Sequence, residues 1–152
     1  MKPDPIPLRV AKRLIYRVVH ASRPAHRVTA SYCGLRLRFD SSSRIGEAIY
    51  ANAFERHQRL VLDQILAPGL TVVDVGANIG FYTCLFARRV GPRGRVIAVE
   101  PTPASFASLE ENVAANGCEQ IVECHPCALS DRDGQARLNV YAEGQDVYNT
   151  LG

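Results

Sequence analysis

The sequence has no run of 18 apolar residues, so no segment is built to cross a bilayer as a helix. It has no internal repeat and no low-complexity tract, which excludes repeat architectures and collagen-like chains. No secretory h-region is present either, because Lys and Arg interrupt every apolar stretch near the N-terminus. The five cysteines (Cys33, Cys84, Cys118, Cys124 and Cys127) are odd in number and scattered. That pattern argues against a disulfide framework and for free thiols in a reducing, cytoplasmic compartment. The net charge is only +3, too small to argue for nucleic acid, and none is expected as a partner.

What is present fits one soluble globular domain: 152 residues, 47% apolar and 22% charged, enough to close a core without staples. The charge is unevenly placed. Residues 1–44 hold ten basic groups against two acids, Asp4 and Asp40, a net +8. Residues 45–152 hold eight basic groups against 13 acids, a net −5. The asymmetry divides the chain into a basic N-terminal element (1–44) and a second unit (45–152).

Leu8, Ala11, Leu14, Ile15, Val18 and Val19 follow helical spacing, interleaved with Arg9, Lys12, Arg13 and Arg17. Such a helix is expected first to pack on its own domain through the apolar stripe. Attachment to an anionic membrane surface and organelle targeting are the next two readings. Residues 28–32 and 35–39 flank Cys33-Gly34 and read as a hairpin, with Leu35, Leu37 and Phe39 inward and Arg36 and Arg38 outward. Asp40–Ser43 reads as a loop. A helix is expected over about 50–66, with Phe54, Leu60, Val61, Ile65 and Leu66 as its apolar positions and Pro68-Gly69 as its end.

Residues 71–75 (TVVDV) and 95–100 (RVIAVE) are short and apolar on both faces, as in a parallel sheet covered on both sides. Between them a helix over about 80–90 ends at Gly91-Pro92-Arg93-Gly94. A second helix follows, with Thr102 as N-cap, Pro103 at its first position, Phe106, Leu109 and Val113 inward, and Asn116-Gly117 as its stop. A third strand is expected near 120–126 and a further one near 136–141. Strand–helix–strand–helix–strand is an α/β, Rossmann-like doubly wound unit with right-handed crossovers.

The stretch Asp74-Val-Gly76-Ala77-Asn78-Ile-Gly80-Phe81 sits where strand turns into helix. Gly76 permits a tight turn, Gly80 lets the helix start close to the strand, and the helix N-terminus offers N–H groups. Glu100 ends the next strand, where an acid can accept from both hydroxyls of a ribose. A nicotinamide fingerprint would need glycine at 78 and 81, but Asn78 and Phe81 stand there. Asp74, inside the turn, would repel a pyrophosphate and suits a ligand with ammonium and sulfonium charges, which points to S-adenosylmethionine.

TVVDVGANIGFYT, GRVIAVEPTPASFASLEENVAANG and CALSD followed by DG resemble the FkbM-type methyltransferases, over residues about 48–152. The resemblance implies an S-adenosylmethionine-dependent methyltransferase acting on a small-molecule hydroxyl, on a sugar or secondary metabolite. It implies that Asp74 and the Gly76–Gly80 turn, with Ala77, Asn78 and Phe81, hold the methionine end, and that Glu100 binds the ribose. Pro101 and Thr102 would lie beside the adenine, Ala128 and Ser130 would border it, and Glu55 would stand near the amino-acid end. The lysine-rich strand that should follow is not found before Gly152, so the chain is expected to be the N-terminal portion of a longer enzyme. Strand 71–75 would then keep an open apolar edge, with poor stability or self-association as the consequence.

Three other readings remain. Cys124-His-Pro-Cys127 could be a redox dithiol, although buried thiols are expected there. The chain could be a non-catalytic fragment that binds a partner or membrane through its basic N-terminus. An NAD-dependent enzyme is disfavoured by the glycine pattern. No metal is expected. His20, His26, His57 and His125 are candidate bases by residue type only, and none is assigned.

Overall fold

The computed structural model describes residues 5–21, 26–135, 137–139 and 150–151. Helix α1 (Ile6–Ala21) precedes an antiparallel hairpin of β1 (Arg27–Tyr32) and β2 (Leu35–Asp40). Helices α2 (Arg44–Tyr50) and α3 (Arg56–Ile65) lead into β3 (Thr71–Val75), α4 (Phe81–Val90), β4 (Arg95–Val99), α5 (Pro103–Ala115) and β5 (Val122–His125). β3, β4 and β5 form a parallel sheet in that order, with Val72 opposite Val96 and Val96 opposite Val122. The two short strands β6 (Leu138–Asn139) and β7 (Thr150–Leu151) pair antiparallel.

The parallel unit forms as its local signals require. Gly91–Arg93 closes α4 as one 3-10 turn. Thr102 stands at the N-cap position of α5 in extended conformation, without a side-chain capping bond, Pro103 follows it, and Asn116 and Gly117 (φ 64°) end the helix. Leu109 and Val113 are buried in the core with Cys84, Ala87, Val90, Val96 and Ala98. The expected strand at 120–126 shortens to β5, and of the one expected at 136–141 only Leu138–Asn139 falls among described strand residues.

The hairpin turns on two residues with positive φ, Cys33 (54°) and Gly34 (77°), as a two-residue connection demands. Leu35, Leu37 and Phe39 are buried and Arg36 and Arg38 exposed, as the alternation predicts. The outer edge of β2 is closed by a helix instead of a strand. Asn112 of α5 accepts from the Arg38 N–H (2.7 Å) and donates to the Arg38 carbonyl (2.9 Å). Asn116 does the same for Arg36, at 3.0 and 2.9 Å. Four residues along a helix rise about 6 Å and two along a strand about 6.8 Å, so the two amides match alternate backbone groups of β2. Asn112 also donates to the Ile79 carbonyl (2.7 Å), tying the hairpin to the loop before α4.

Several expectations are corrected. The helix expected over 50–66 forms only as α3 from Arg56, while α2 precedes it and ends at Tyr50, because Asn52 (φ 54°) and Glu55 (φ 36°) interrupt the backbone between them. Ser43, read as loop, caps α2 by accepting from the Gly46 N–H (3.1 Å). Of the expected apolar positions Phe54 and Leu66 pack on the core, Leu60, Val61 and Ile65 are exposed, and Leu62 packs on the core in their place. β3 is not covered on both faces: Val73 and Val75 are 53% and 60% exposed. Among the described residues β3 is also an outer strand of the three, so its unpaired edge and its bare face coincide. Of the Cys124/Cys127 pair, Cys127 is exposed, while burial raises the Cys124 thiol to about 11.

The largest correction concerns α1. Its apolar stripe is not docked: Leu14, Ile15 and Val18 are 63%, 55% and 67% exposed. The helix is held by its polar side. Tyr16 is buried and donates to the Ser41 carbonyl (2.9 Å), its ring 5.1 Å from that of Tyr50. Arg17 donates to Glu47 Oε1 (3.0 Å). The inward side chains of the hairpin pack with α2, α4 and α5 in one core, which Tyr16 joins from α1.

Candidate active site

The carboxyl ends of parallel strands, where helices start, form a crevice in this class of sheet. Here a cavity of about 370 Å³ lies at the ends of β3 and β4. Asp74 borders it from β3, and Gly76, Ala77, Asn78 and Ile79 from the following loop. Phe81 and Tyr82 border it from α4, and Glu100, Pro101 and Thr102 from the end of β4. Ile45, Phe54, Glu55 and Leu138 complete the wall.

The loop is set by backbone conformation. Gly76 (φ 76°), Asn78 (φ 49°) and Gly80 (φ 80°) all have positive φ. Asparagine is the residue other than glycine that best accepts this region. Its side-chain oxygen accepts from the Ile79 N–H (2.8 Å). A side chain on Gly76 would meet nothing within 4 Å and would stand in the open crevice. A side chain on Gly80 would come 2.7 Å from Leu109 Cδ1, so this glycine serves close packing of the loop on α5, not on the strand.

The loop amides are engaged within the protein. Gly76 and Ala77 both donate to the Val99 carbonyl (2.9 and 3.0 Å), Gly80 to Ala77 (2.8 Å) and Asn78 to Glu100 Oε2 (2.9 Å). These four amides belong to the loop before the helix, whose own N-terminus, expected to offer N–H groups, begins at Phe81. Glu100 is buried, and its Oε1 accepts from the Thr102 N–H (2.8 Å). The carboxylate thus bridges the two sides of the crevice and retains a further lone pair on each oxygen.

Asp74 Oδ2 accepts from Thr83 Oγ1 (2.5 Å), a fully buried hydroxyl one turn into α4. Burial is the main cause that raises the Asp74 carboxyl above its ordinary range, opposed by Thr83 and reinforced by the nearby Glu100 charge. Glu55, in left-handed conformation, accepts from the Tyr82 hydroxyl (2.5 Å). Burial and that carboxylate raise the Tyr82 phenol. Among the described lining residues there is no Lys or Arg, while Asp74, Glu100 and Glu55 are acidic. Such a set suits a ligand carrying positive charge and hydroxyl donors, with the space before Gly76 free for its chain.

Ten of the sequence-derived residues thus meet at one crevice: Glu55, Asp74, Gly76, Ala77, Asn78, Phe81, Glu100, Pro101 and Thr102 at its wall, and Gly80 at its base against α5. Ala128 and Ser130 do not line it. They border a neighbouring cavity of about 880 Å³ that shares Pro101 and Leu138 with the first. Sequence reasoning missed Ile45, Phe54, Thr83 and Tyr82. A threonine nine residues after the strand acid was the only signal for Thr83, and nothing local marked the others. His20 and His26 contact each other (3.0 Å), and His125 pairs with Glu123, all outside the crevice.

Three similarities bear on this geometry. A methyltransferase of Streptomyces tacrolimicus, 31-O-demethyl-FK506 methyltransferase FkbM, is 41% identical over 78 residues, 51% of this chain and 29% of that protein. Protein-L-isoaspartate O-methyltransferase 1 of Arabidopsis thaliana is 34% identical over 98 residues, 63% of this chain and 43% of that one. The structure of P. horikoshii TYW2 in complex with MeSAdo superposes with a TM-score of 0.57 at 21% identity, covering 87% of this chain and 53% of that one, and shares the fold. The chain spans less than half the length of these curated relatives. The family model of the methyltransferase FkbM domain, a family that uses S-adenosylmethionine, matches residues 74–149, half of the sequence. The chain belongs to the FkbM methyltransferase domain family.

Proposed function

We propose that this domain holds S-adenosylmethionine in the Asp74–Glu100 crevice and methylates a hydroxyl of a small molecule, a sugar or a secondary metabolite. One observation carries the reading: two carboxylates end adjacent parallel strands on either side of a glycine turn whose front is open space. Asp74 would pair with the ammonium of the amino-acid end, and that pairing would keep its carboxylate ionised despite burial. Glu100 would accept from the ribose hydroxyls with the lone pairs its two amide partners leave. Pro101 and Thr102 would flank the base, and Ala128 and Ser130 would border it only from the adjoining cavity. Glu55, clasped by Tyr82, would stand beside the amino-acid end. When bound, the cofactor supplies an electrophilic methyl carbon, and the chain's own contribution is its alignment. The hydroxyl acceptor is supported by the 31-O-demethyl-FK506 methyltransferase among the relatives. Five free thiols support a cytoplasmic setting.

Calorimetric titration with S-adenosylhomocysteine tests the cofactor, with NAD and Asp74→Ala as controls and circular dichroism on the same sample. Saturable binding is expected, weakened ten- to hundredfold in the variant, as befits loss of a charged contact of about 1.5–3 kcal/mol. Binding of NAD in preference, or no binding by a folded sample, overturns the reading. Release of S-adenosylhomocysteine with a panel of hydroxyl-bearing acceptors tests the chemistry.

A further inference from the structure

Helix α1 reverses the usual arrangement of an amphipathic surface helix. It buries Tyr16 and fastens Arg13 and Arg17 to Glu47, and it turns its apolar residues to solvent. Around the helix Leu14 and Val18 lie opposite Tyr16, with Val10 and Ile15 on either flank and Leu8 at the edge. All five are more than two-fifths exposed. No acid occurs among the 16 residues of the helix, whereas Arg9, Lys12, Arg13 and Arg17 do. A 16-residue helix is about 24 Å long, too short for a hydrocarbon core of about 30 Å, and no described helix is long and apolar enough to cross a membrane.

We propose that α1 is a surface anchor that lies flat on an anionic lipid bilayer, with Leu14, Ile15 and Val18 in the headgroup–acyl boundary. Burial of apolar side chains beneath a cationic flank is the known physics of interfacial helices. Charge selects lipid over a second copy of this chain. Arg17, although paired with Glu47, stays 68% exposed at the edge of the apolar side, so two acid-free helices brought together there would repel, whereas anionic headgroups complement them. Attachment through the polar side is also what lets the helix serve two surfaces. Tyr16 and Arg17 hold it to the domain, so the apolar side is open without unfolding anything. Helix α2 joins this surface to the crevice: Ile45 lines the cavity, while Glu47 and Tyr50 meet α1.

The test is co-sedimentation of the chain with vesicles of phosphatidylcholine alone and of phosphatidylcholine with about a quarter phosphatidylserine. The comparison variant is the double change Leu14→Ser, Val18→Ser, whose sites are exposed. Circular dichroism checks folding and analytical ultracentrifugation reads the oligomeric state. Binding to the anionic vesicles is expected, weaker in about 0.5 M salt and about tenfold lower in the double variant. Absence of binding by the folded chain overturns the proposal, as does binding that the variant leaves unchanged. A dimer that the variant dissolves, without lipid binding, assigns the face to a second copy and overturns it equally.

Discussion

Helix α5 buries Leu109 and Val113 and turns Glu110 and Glu111 to water, while α1 buries Tyr16 and turns Leu14, Ile15 and Val18 to water. Both carry an apolar stripe at helical spacing. They differ in what faces them. α5 lies between the sheet and the hairpin, where Cys84, Val96 and Leu37 offer apolar area. α1 joins that core through Tyr16 and meets α2 through Glu47 and Tyr50. Amphipathic spacing therefore identifies a face that needs covering, and the neighbouring surface decides what covers it.

Substitutions at equivalent leucines break the comparison most sharply. Leu109→Ala should cost about 3 kcal/mol of stability, because it empties a fully buried site. Leu14→Ala should change stability by less than about 0.5 kcal/mol, because its side chain is already in water and alanine favours helix. Urea unfolding followed by circular dichroism measures both. Equal losses would mean that α1 is docked through its apolar side in solution.

Asn112→Ala comes next. It should cost about 2 kcal/mol, since the fully buried amide leaves the Arg38 and Ile79 backbone groups without partners. The same urea titration reads it, and hydrogen exchange at β2 should rise with it.

Tyr16→Phe should cost about 1 kcal/mol, the worth of one hydrogen bond. Its pH signature is distinct. Burial, with Asp40 and Glu47 nearby, raises the Tyr16 phenol from 10.0 to about 12. The folded state then keeps a proton that the unfolded chain releases, so the phenol's contribution is present below pH 10 and is lost as pH rises toward 12. The variant should show a shallower alkaline decline in melting temperature.

Asp74→Asn should have the smallest effect on stability, and of opposite sign. Its carboxyl is raised by burial, so its contribution is present at acid pH and is lost as pH rises through the raised value. The variant should match the parent at acid pH, melt higher near neutrality and lose cofactor binding. A variant that melts lower at pH 7 would show that the ionised carboxylate stabilises this fold.

Much of the βαβ unit was legible because its signals are local. Gly91-Pro92, Thr102-Pro103 and Asn116-Gly117 punctuate their helices whatever lies nearby. The crevice was legible for the same reason, since Gly76, Asn78 and Gly80 are set by φ and the acids by their strand ends. Hidden from local reading were the breaks at Asn52 and Glu55, where two positive φ values split a continuous helical pattern. The Asn112–Asn116 clasp on β2 was hidden as well, because its partners lie 74 and 80 residues away.

The sequence by itself determined the parallel strand–helix alternation, the positive-φ turn and the placement of Asp74 and Glu100 at strand ends, because periodicity and backbone sterics act over a few residues. Only the tertiary structure decided that the Glu100 carboxylate is braced by Asn78 and Thr102, that Thr83 holds Asp74, that β3 keeps a bare face, and that α1 shows its apolar side. Those outcomes depend on which surfaces are left to meet once the rest has packed, and a one-dimensional pattern does not encode that remainder.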